Sequence, residues 1–487
     1  MKKTKDKNVA AAKQQALKKR SVVELAEPLK QLISPINKFI QAETSSGVVL
    51  LITAAVALLW ANLNPESYLW FWGIHASLGI GHYQLDHTFG EWINDGLMTI
   101  FFLQVGLEIK REMQVGDLSS FRHAILPVTA AAGGMMIPGL FFTLCAHGTQ
   151  YANGWGIPVA TDIAFALGVI TLLGKRVPSS LKIFLAALAI ADDLGAVLVI
   201  ALFYSSHLNL AAIGFAAAIF AVLMACNKSG ARSLVIYAVG GFFLWLCVLN
   251  SGVHASLAGV LLAITIPTWT SIDRESMCQA LEDTRKAIKD APEESEDGTI
   301  ADKSLIDSLE QMHEDTTRAL PPLIIMERSI TTFVQMVIMP LFALANSGVI
   351  ITKLEPGFLQ DTVTHGIALG LILGKPIGIT LGTFLTIKLG LADFPRKANW
   401  TQLIGVGMLG GIGFTMSLFV SGLALGSGPH LNTAKLAILC SSSIAGMLGF
   451  IWLWLHPQNT DGEDGGKTGE SAKAESAAAE KTAAPAV

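Results

Sequence analysis

The 487-residue chain is 52% hydrophobic and only 15% charged, with a mean hydropathy of +0.51. A water-facing surface usually needs about 25% charged residues, so composition excludes the roughly three soluble domains that length alone suggests. An all-α polytopic membrane protein is predicted instead. A net charge of −4 and a pI near 6.3 give no reason to expect nucleic acid as a partner. Five scattered cysteines (Cys145, Cys226, Cys247, Cys278, Cys440) form no CxxC, and four lie in apolar runs, where cysteine is usually a small core residue.

A polar, Lys-rich arm at 1–43 opens the chain with no apolar core of its own, so no cleavable signal peptide is expected. It suits either a strip lying on an anionic leaflet or a solvated helix that only fixes topology. Twelve apolar runs come after it, each near the length of about 20 residues that crosses hydrocarbon. They lie at 45–62, 92–108, 124–145, 158–173, 182–203, 209–226, 233–249, 252–268, 329–349, 364–387, 402–425 and 435–455.

Between the first two runs, HASLGIGHYQLDHTF (75–89) alternates like two short strands across Gly79 and Gly81, predicting an extracellular hairpin. His82 and His87 there read as solvent-exposed loop histidines rather than a metal pair. An acidic, polar insertion at 270–322 carries EESEDG at 293–298, and the Gly/Ala/Glu/Lys-rich tail at 457–487 has the composition of disorder. The expected divisions are the arm 1–43, transmembrane helices 1–8 (44–269), the insertion, helices 9–12 (323–456) and the tail.

Basic residues test this map, because cytoplasmic loops retain positive charge. On one side fall 31 of the 34 Lys and Arg, ten of them in the arm between Lys2 and Lys38. The opposite loops hold only Lys353 and, at a helix start, Lys435. Both termini are therefore expected in the cytoplasm. The remaining base, Lys375, sits inside a membrane run.

Charge at membrane depth costs about 2.5–3.5 kcal/mol per residue on insertion scales. Yet the fifth run, LAALAIADDLGAVLVIALF, carries Asp192 and Asp193 near its middle, and the fourth places Asp162 beside Thr161. With Lys375 in the tenth, LGLILGKPIGITLG, that is three acids and one base near mid-depth. A structural ion-pair cluster explains this poorly, since successive helical residues point about 100° apart and do not easily share one partner.

Two runs make poor helices. The fourth opens with Gly154, Gly156 and Pro158; the eleventh packs Gly405, Gly407, Gly410, Gly411 and Gly413 into nine residues. Broken backbone at membrane depth is tolerated only where it is buried or lines a cavity. Facing half-helices would leave two positive and two negative ends, to be neutralised by Asp162 and Lys375. Helices 3–5 and 10–12 each read intact, broken, intact, and an offset of seven spans orients them oppositely. Crossed broken helices 4 and 11 in inverted repeats point to a transporter's ion site.

Soluble motifs fail here. GVGMLG (405–410) fits GxGxxG, but no strand precedes it and no acid follows about 20 residues later. LGKP (373–376) lacks the spacing of a phosphate loop. An intramembrane aspartyl protease would use Asp162 and Asp193, yet there is no GxGD string and Lys375 and Asp192 would stand idle.

The strings FFLQVGLEIKREM (101–113), VATDIAFALGV (159–169), AIADDLGAVLVIALFY (189–204), SGVHASLAGVLLA (251–263), MPLFALANSGV (339–349), LGKPIGI (373–379) and GIGFTMSLF (411–419) resemble, in order, the bacterial sodium–proton antiporter A family, NhaA. That family is itself a standard example of inverted repeats, so the two readings are not independent. The resemblance implies an electrogenic exchanger in the bacterial cytoplasmic (inner) membrane, expelling sodium or lithium and admitting a larger number of protons, with no cofactor. By position Asp192 and Asp193 match the paired ion-site aspartates, Asp162 with Thr161 the unwound-helix pair, and Lys375 the partner of Asp192. Hard oxygen ligands suit a hard cation, and a carboxylate taken out of water holds its proton to higher pH. A proton and a sodium ion therefore compete for it.

The resemblance further assigns Glu108, Arg111, Glu112, Glu327 and His254 to pH response. Two family histidines beside Glu327 appear here as Arg328 and Thr331, which puts the pH profile in question. The hairpin 75–89 resembles the one through which family members dimerise. The insertion and the long tails depart from the compact family pattern.

Overall fold

The computed structural model describes residues 45–80, 83–116, 118–205, 208–271, 274–290, 303–353, 357–426 and 428–457. The basic arm, His82, the EESEDG string and the tail from 458 lie outside the described residues. Each of the twelve apolar runs contains helix. Among the described residues, eight helices are long and apolar enough to cross a membrane, or nine with the bent Trp400–Leu409 and Phe414–Leu425 pair. The other three fall short for separate reasons. Met98–Val115 ends in Glu108, Lys110, Arg111 and Glu112; Leu234–Leu249 has 16 residues; Leu257–Thr265 has only nine. The eighth run is shorter than expected because residues 250–256 stay non-helical, with Gly252 at a φ of 81°.

Apolar side chains such as Leu59, Leu63, Met136, Leu202 and Phe215 stay exposed, as a surface solvated by lipid permits. Glycine sets the closest helix contacts. The Phe121–Cys145 helix lies against Lys375–Lys388 through Gly133 and Gly378, where a Cβ on either would collide with the other's carbonyl. The π-helical turn Gly370–Gly374, just before Lys375, fits between Pro158 and Pro138: a Cβ on Gly370 would sit 2.6 Å from Pro158 Cβ, and one on Gly374 2.9 Å from Pro138 Cα. A π turn adds a residue to the helix and rotates the side chains beyond it, a device common at functional sites.

Outside the bundle, strands His75–Ile80 and Tyr83–Thr88 pair antiparallel, from His75↔Thr88 to Ile80↔Tyr83. Trp92 Nε1 ties this hairpin to the helices by donating to the Ala76 carbonyl at 2.8 Å. His87 approaches Glu91 at 3.7 Å and sets its ring edge-on to Trp92. The insertion forms two helices, Arg274–Asp290 and Lys303–Ala319. Arg232 gathers its two roots, donating to Ser271 Oγ, to the Arg318 carbonyl at 2.9 Å and to the Leu320 carbonyl at 2.7 Å.

Candidate functional site

Two interruptions meet in the bundle. The first runs as a 3-10 segment, Ala152–Val159, then extended residues 160–162, then the helix Ile163–Leu172. The second bends by 50° between Leu409 and Phe414. Pro158 and the glycines 410, 411 and 413 explain why neither run continues as α-helix.

Backbone and side chains knit the breaks together. Asp162 N–H donates to the Ile412 carbonyl at 2.6 Å, and Thr161 Oγ1 to the Gly410 carbonyl at 2.8 Å. Ser417 Oγ donates to the Ile157 carbonyl at 2.7 Å. The Asp162 carboxylate caps two helices at once. Oδ1 accepts from Phe165 N–H at 3.1 Å, while Oδ2 accepts from Thr415 N–H at 3.2 Å and Thr415 Oγ1 at 2.5 Å. Both half-helix N-termini thus share one anion, the arrangement that helix dipoles favour.

Asp192 and Asp193 sit midway along the continuous helix Ser179–Phe203, only 2% and 3% exposed. Lys375, 1% exposed, places Nζ 2.5 Å from Asp192 Oδ2. The lysine therefore pairs with Asp192 rather than with the half-helix C-termini that its charge would also suit. Among the described residues, Oδ1 of Asp192 and Oδ1 of Asp193 are buried without a hydrogen-bond partner. Asp192, Asp193 and Lys375, expected from the sequence, therefore meet, and Asp162 lies at the break whose flanking segments pack against the Ser179–Phe203 helix.

The remaining expected residues form two further groups. Arg111 bridges Glu112 at 3.0 Å and Glu327 at 3.1 Å, joining Met98–Val115 to Pro322–Phe333. His254 lies in the non-helical 250–256 segment; its Nδ1 is 2.8 Å from Ser256 Oγ and its Nε2 3.6 Å from Asp95. Sequence reasoning missed Asp95 and Thr415. Asp95 stands in EWINDGLM at the edge of an apolar run, where the signal that found the other acids is weakest. Thr415 offers none, since a threonine in an apolar helix is ordinary.

The chain matches the family model described as Na+/H+ antiporter 1 over residues 37–453. It belongs to that family. A relative from Sorangium cellulosum, named Na(+)/H(+) antiporter NhaA 2, is 43% identical over 420 residues, covering 86% of this chain and 89% of its own. A Syntrophobacter fumaroxidans relative, Na(+)/H(+) antiporter NhaA, is 44% identical over 431 residues, covering 87% and 91%. The solved structure of the sodium proton antiporter MjNhaP1 from Methanocaldococcus jannaschii covers 88% of this NhaA-family chain and 96% of its own, at 13% identity and a TM-score of 0.45. At that distance it says nothing of the site.

Proposed function

We propose that the chain is an electrogenic Na+/H+ antiporter, also accepting Li+, that expels the cation against a larger number of protons by alternating access. It is a transporter and not an enzyme, and its ions are cargo. One observation carries the reading: Asp193, buried at mid-helix with Oδ1 unpaired among the described residues, beside Asp192 held by Lys375. Three buried acids against one base leave surplus negative charge, which a proton or a hard cation must neutralise in turn. Relatives named Na(+)/H(+) antiporter at 42–44% identity support those ions as cargo.

In this mechanism Asp193 exchanges its proton for sodium, with Asp192 as second ligand. Lys375 orients Asp192 and titrates with it as a unit. Asp162, Thr161 and Thr415 hold the crossed breaks together, so that displacement of one half-helix displaces the other. Exchange follows because one carboxylate cannot hold both ions and faces one side at a time. Glu108, Glu112, Arg111 and Glu327 line the approach and, with His254, set the response to pH. The protein lies in the bacterial cytoplasmic membrane with both termini inside, and two copies pair through the hairpin 75–89.

The test is transport itself. Purified protein in proteoliposomes receives sodium on one side while internal pH and membrane potential are followed. Sodium-dependent proton movement that responds to voltage is the expected result. No movement between about pH 6 and 9, where a carboxylate or histidine site would titrate, would overturn the reading.

A further inference from the structure

The insertion is the part of the chain that the ion site does not use. Its two helices enclose a cleft of about 490 Å³ lined by Ser276, Asp283, Thr284, Asp307, Gln311 and Asp315. Asp283 and Asp315 meet exposed local partners, Lys286 at 3.7 Å and Gln311 at 3.2 Å. Leu281 and Ile288, on the flank of the first insertion helix outside the cleft lining, stay 43% and 55% exposed. The cleft is therefore acidic, the flank of its first helix carries uncovered apolar side chains, and residues 270–320 carry fourteen acids against six bases.

We infer that this cleft docks the chain's own N-terminal arm. Residues 1–44 hold ten Lys and Arg against four acids, interleaved with Leu17, Val22, Val23, Leu25 and Leu29. The acids of the cleft and the uncovered apolar flank beside its first helix thus find their complement in one segment. Charge also selects against the other occupants. An anionic leaflet would repel the insertion, and a second copy's insertion would bring like net charge to like. Reach is ample, because 44 residues extend to about 150 Å and the arm ends where the Ser45–Leu63 helix begins. Docking rests on the proposed topology, which puts arm and insertion on one side of the membrane. Since Arg232 clamps the insertion roots beside the Pro322–Phe333 helix, an arm held there is joined to the helix that carries Glu327.

The experiment uses the full chain in nanodiscs, with its five cysteines replaced by alanine and Ser21→Cys and Gln279→Cys added. A short bis-maleimide should yield a crosslink within one chain in zwitterionic lipid. The yield should fall at least fivefold when Asp283, Asp307 and Asp315 are replaced by lysine, and return when Lys18, Lys19 and Arg20 are also replaced by glutamate. A product only between chains, loss of the product in phosphatidylglycerol discs, or no product in either lipid would overturn the docking. So would a product indifferent to charge reversal. An impermeant maleimide applied to vesicles of known orientation separates the two readings: labelling of positions 21 and 279 from opposite sides would overturn the topology, and the docking with it.

Discussion

Lys375 Nζ stands 2.5 Å from Asp192 Oδ2, both side chains almost fully buried, while Asp193 on the same helix has no base paired to it among the described residues. Adjacent aspartates therefore hold unequal positions. One is fixed by a lysine; the other is the carboxylate to which the proposed mechanism assigns the cargo. Asp193→Asn should abolish sodium-driven proton flux in proteoliposomes and leave the melting midpoint in detergent near that of the parent. Flux at the parent's level would sink the assignment of Asp193.

Lys375→Ala should cost stability as well as transport. Removing one partner of a buried pair leaves an uncompensated charge, typically about 3–5 kcal/mol. The double variant Asp192→Asn with Lys375→Met should recover most of that loss without recovering flux. Detergent melting of the parent, both single variants and the double variant measures the coupling. An unchanged midpoint in Lys375→Ala would remove the case for the pair.

Thr415→Val deletes the 2.5 Å hydroxyl bond to Asp162 but keeps the backbone donor. A hydrogen bond to a charged group contributes about 1.5–3 kcal/mol. We expect a lower melting midpoint and slower exchange in the valine variant, with Thr415→Ser close to the parent. Equal rates in all three would mean that the second half-helix needs no side-chain tie to Asp162.

These residues differ in how legible they are in the sequence. Asp162, Asp192, Asp193 and Lys375 announce themselves because charge in an apolar run needs a reason, and the breaks because proline and clustered glycine disfavour helix. Thr415 is invisible because its importance is a contact across 253 residues, which local pattern does not encode. Asp95 is legible by the same rule as the other acids, but it stands at the edge of its run, where a charge reads as the start of a loop. The π turns at Val334–Ile338 and Gly370–Gly374 leave no periodicity signal, since one inserted residue changes the helix phase by only about a quarter turn. The Leu257–Thr265 helix is shorter than the run read at 252–268 because that run takes in GVHAS (252–256), which is far less apolar than the helix after it and begins at Gly252 with a φ of 81°.

Gly378→Leu tests the contact between the lysine-bearing helix and Phe121–Cys145. A side chain there meets the Gly133 carbonyl and has Gly134 N only 3.1 Å from its Cβ, so the helices must part. Overpacking of this kind typically costs about 1–3 kcal/mol, and more where backbone lies in the way. Because Lys375 is one turn away, we expect loss of exchange along with the lowered midpoint. Gly214→Leu, where a Cβ meets nothing within 4 Å, is the control and should behave as the parent. Normal flux in Gly378→Leu would show that the site tolerates displacement of its lysine helix.

Arg111 lies 3.1 Å from Glu327 and 3.0 Å from Glu112, and the next residue after Glu327 is the exposed Arg328. A guanidinium side chain is charged at every physiological pH, whereas a histidine side chain gains charge as pH falls through about 6.5. Thr331 Oγ1 is spent on the Glu327 carbonyl at 2.7 Å and adds no charge. In the parent, then, neither position supplies an imidazole that would switch the charge beside the Arg111–Glu327 pair near neutral pH. Arg328→His should remove positive charge from beside that pair above about pH 6.5, leaving the activity profile below that pH unmoved and shifting the limb above it. Flux measured between about pH 6 and 9 reads this directly, and identical profiles would clear position 328 of any part in pH response.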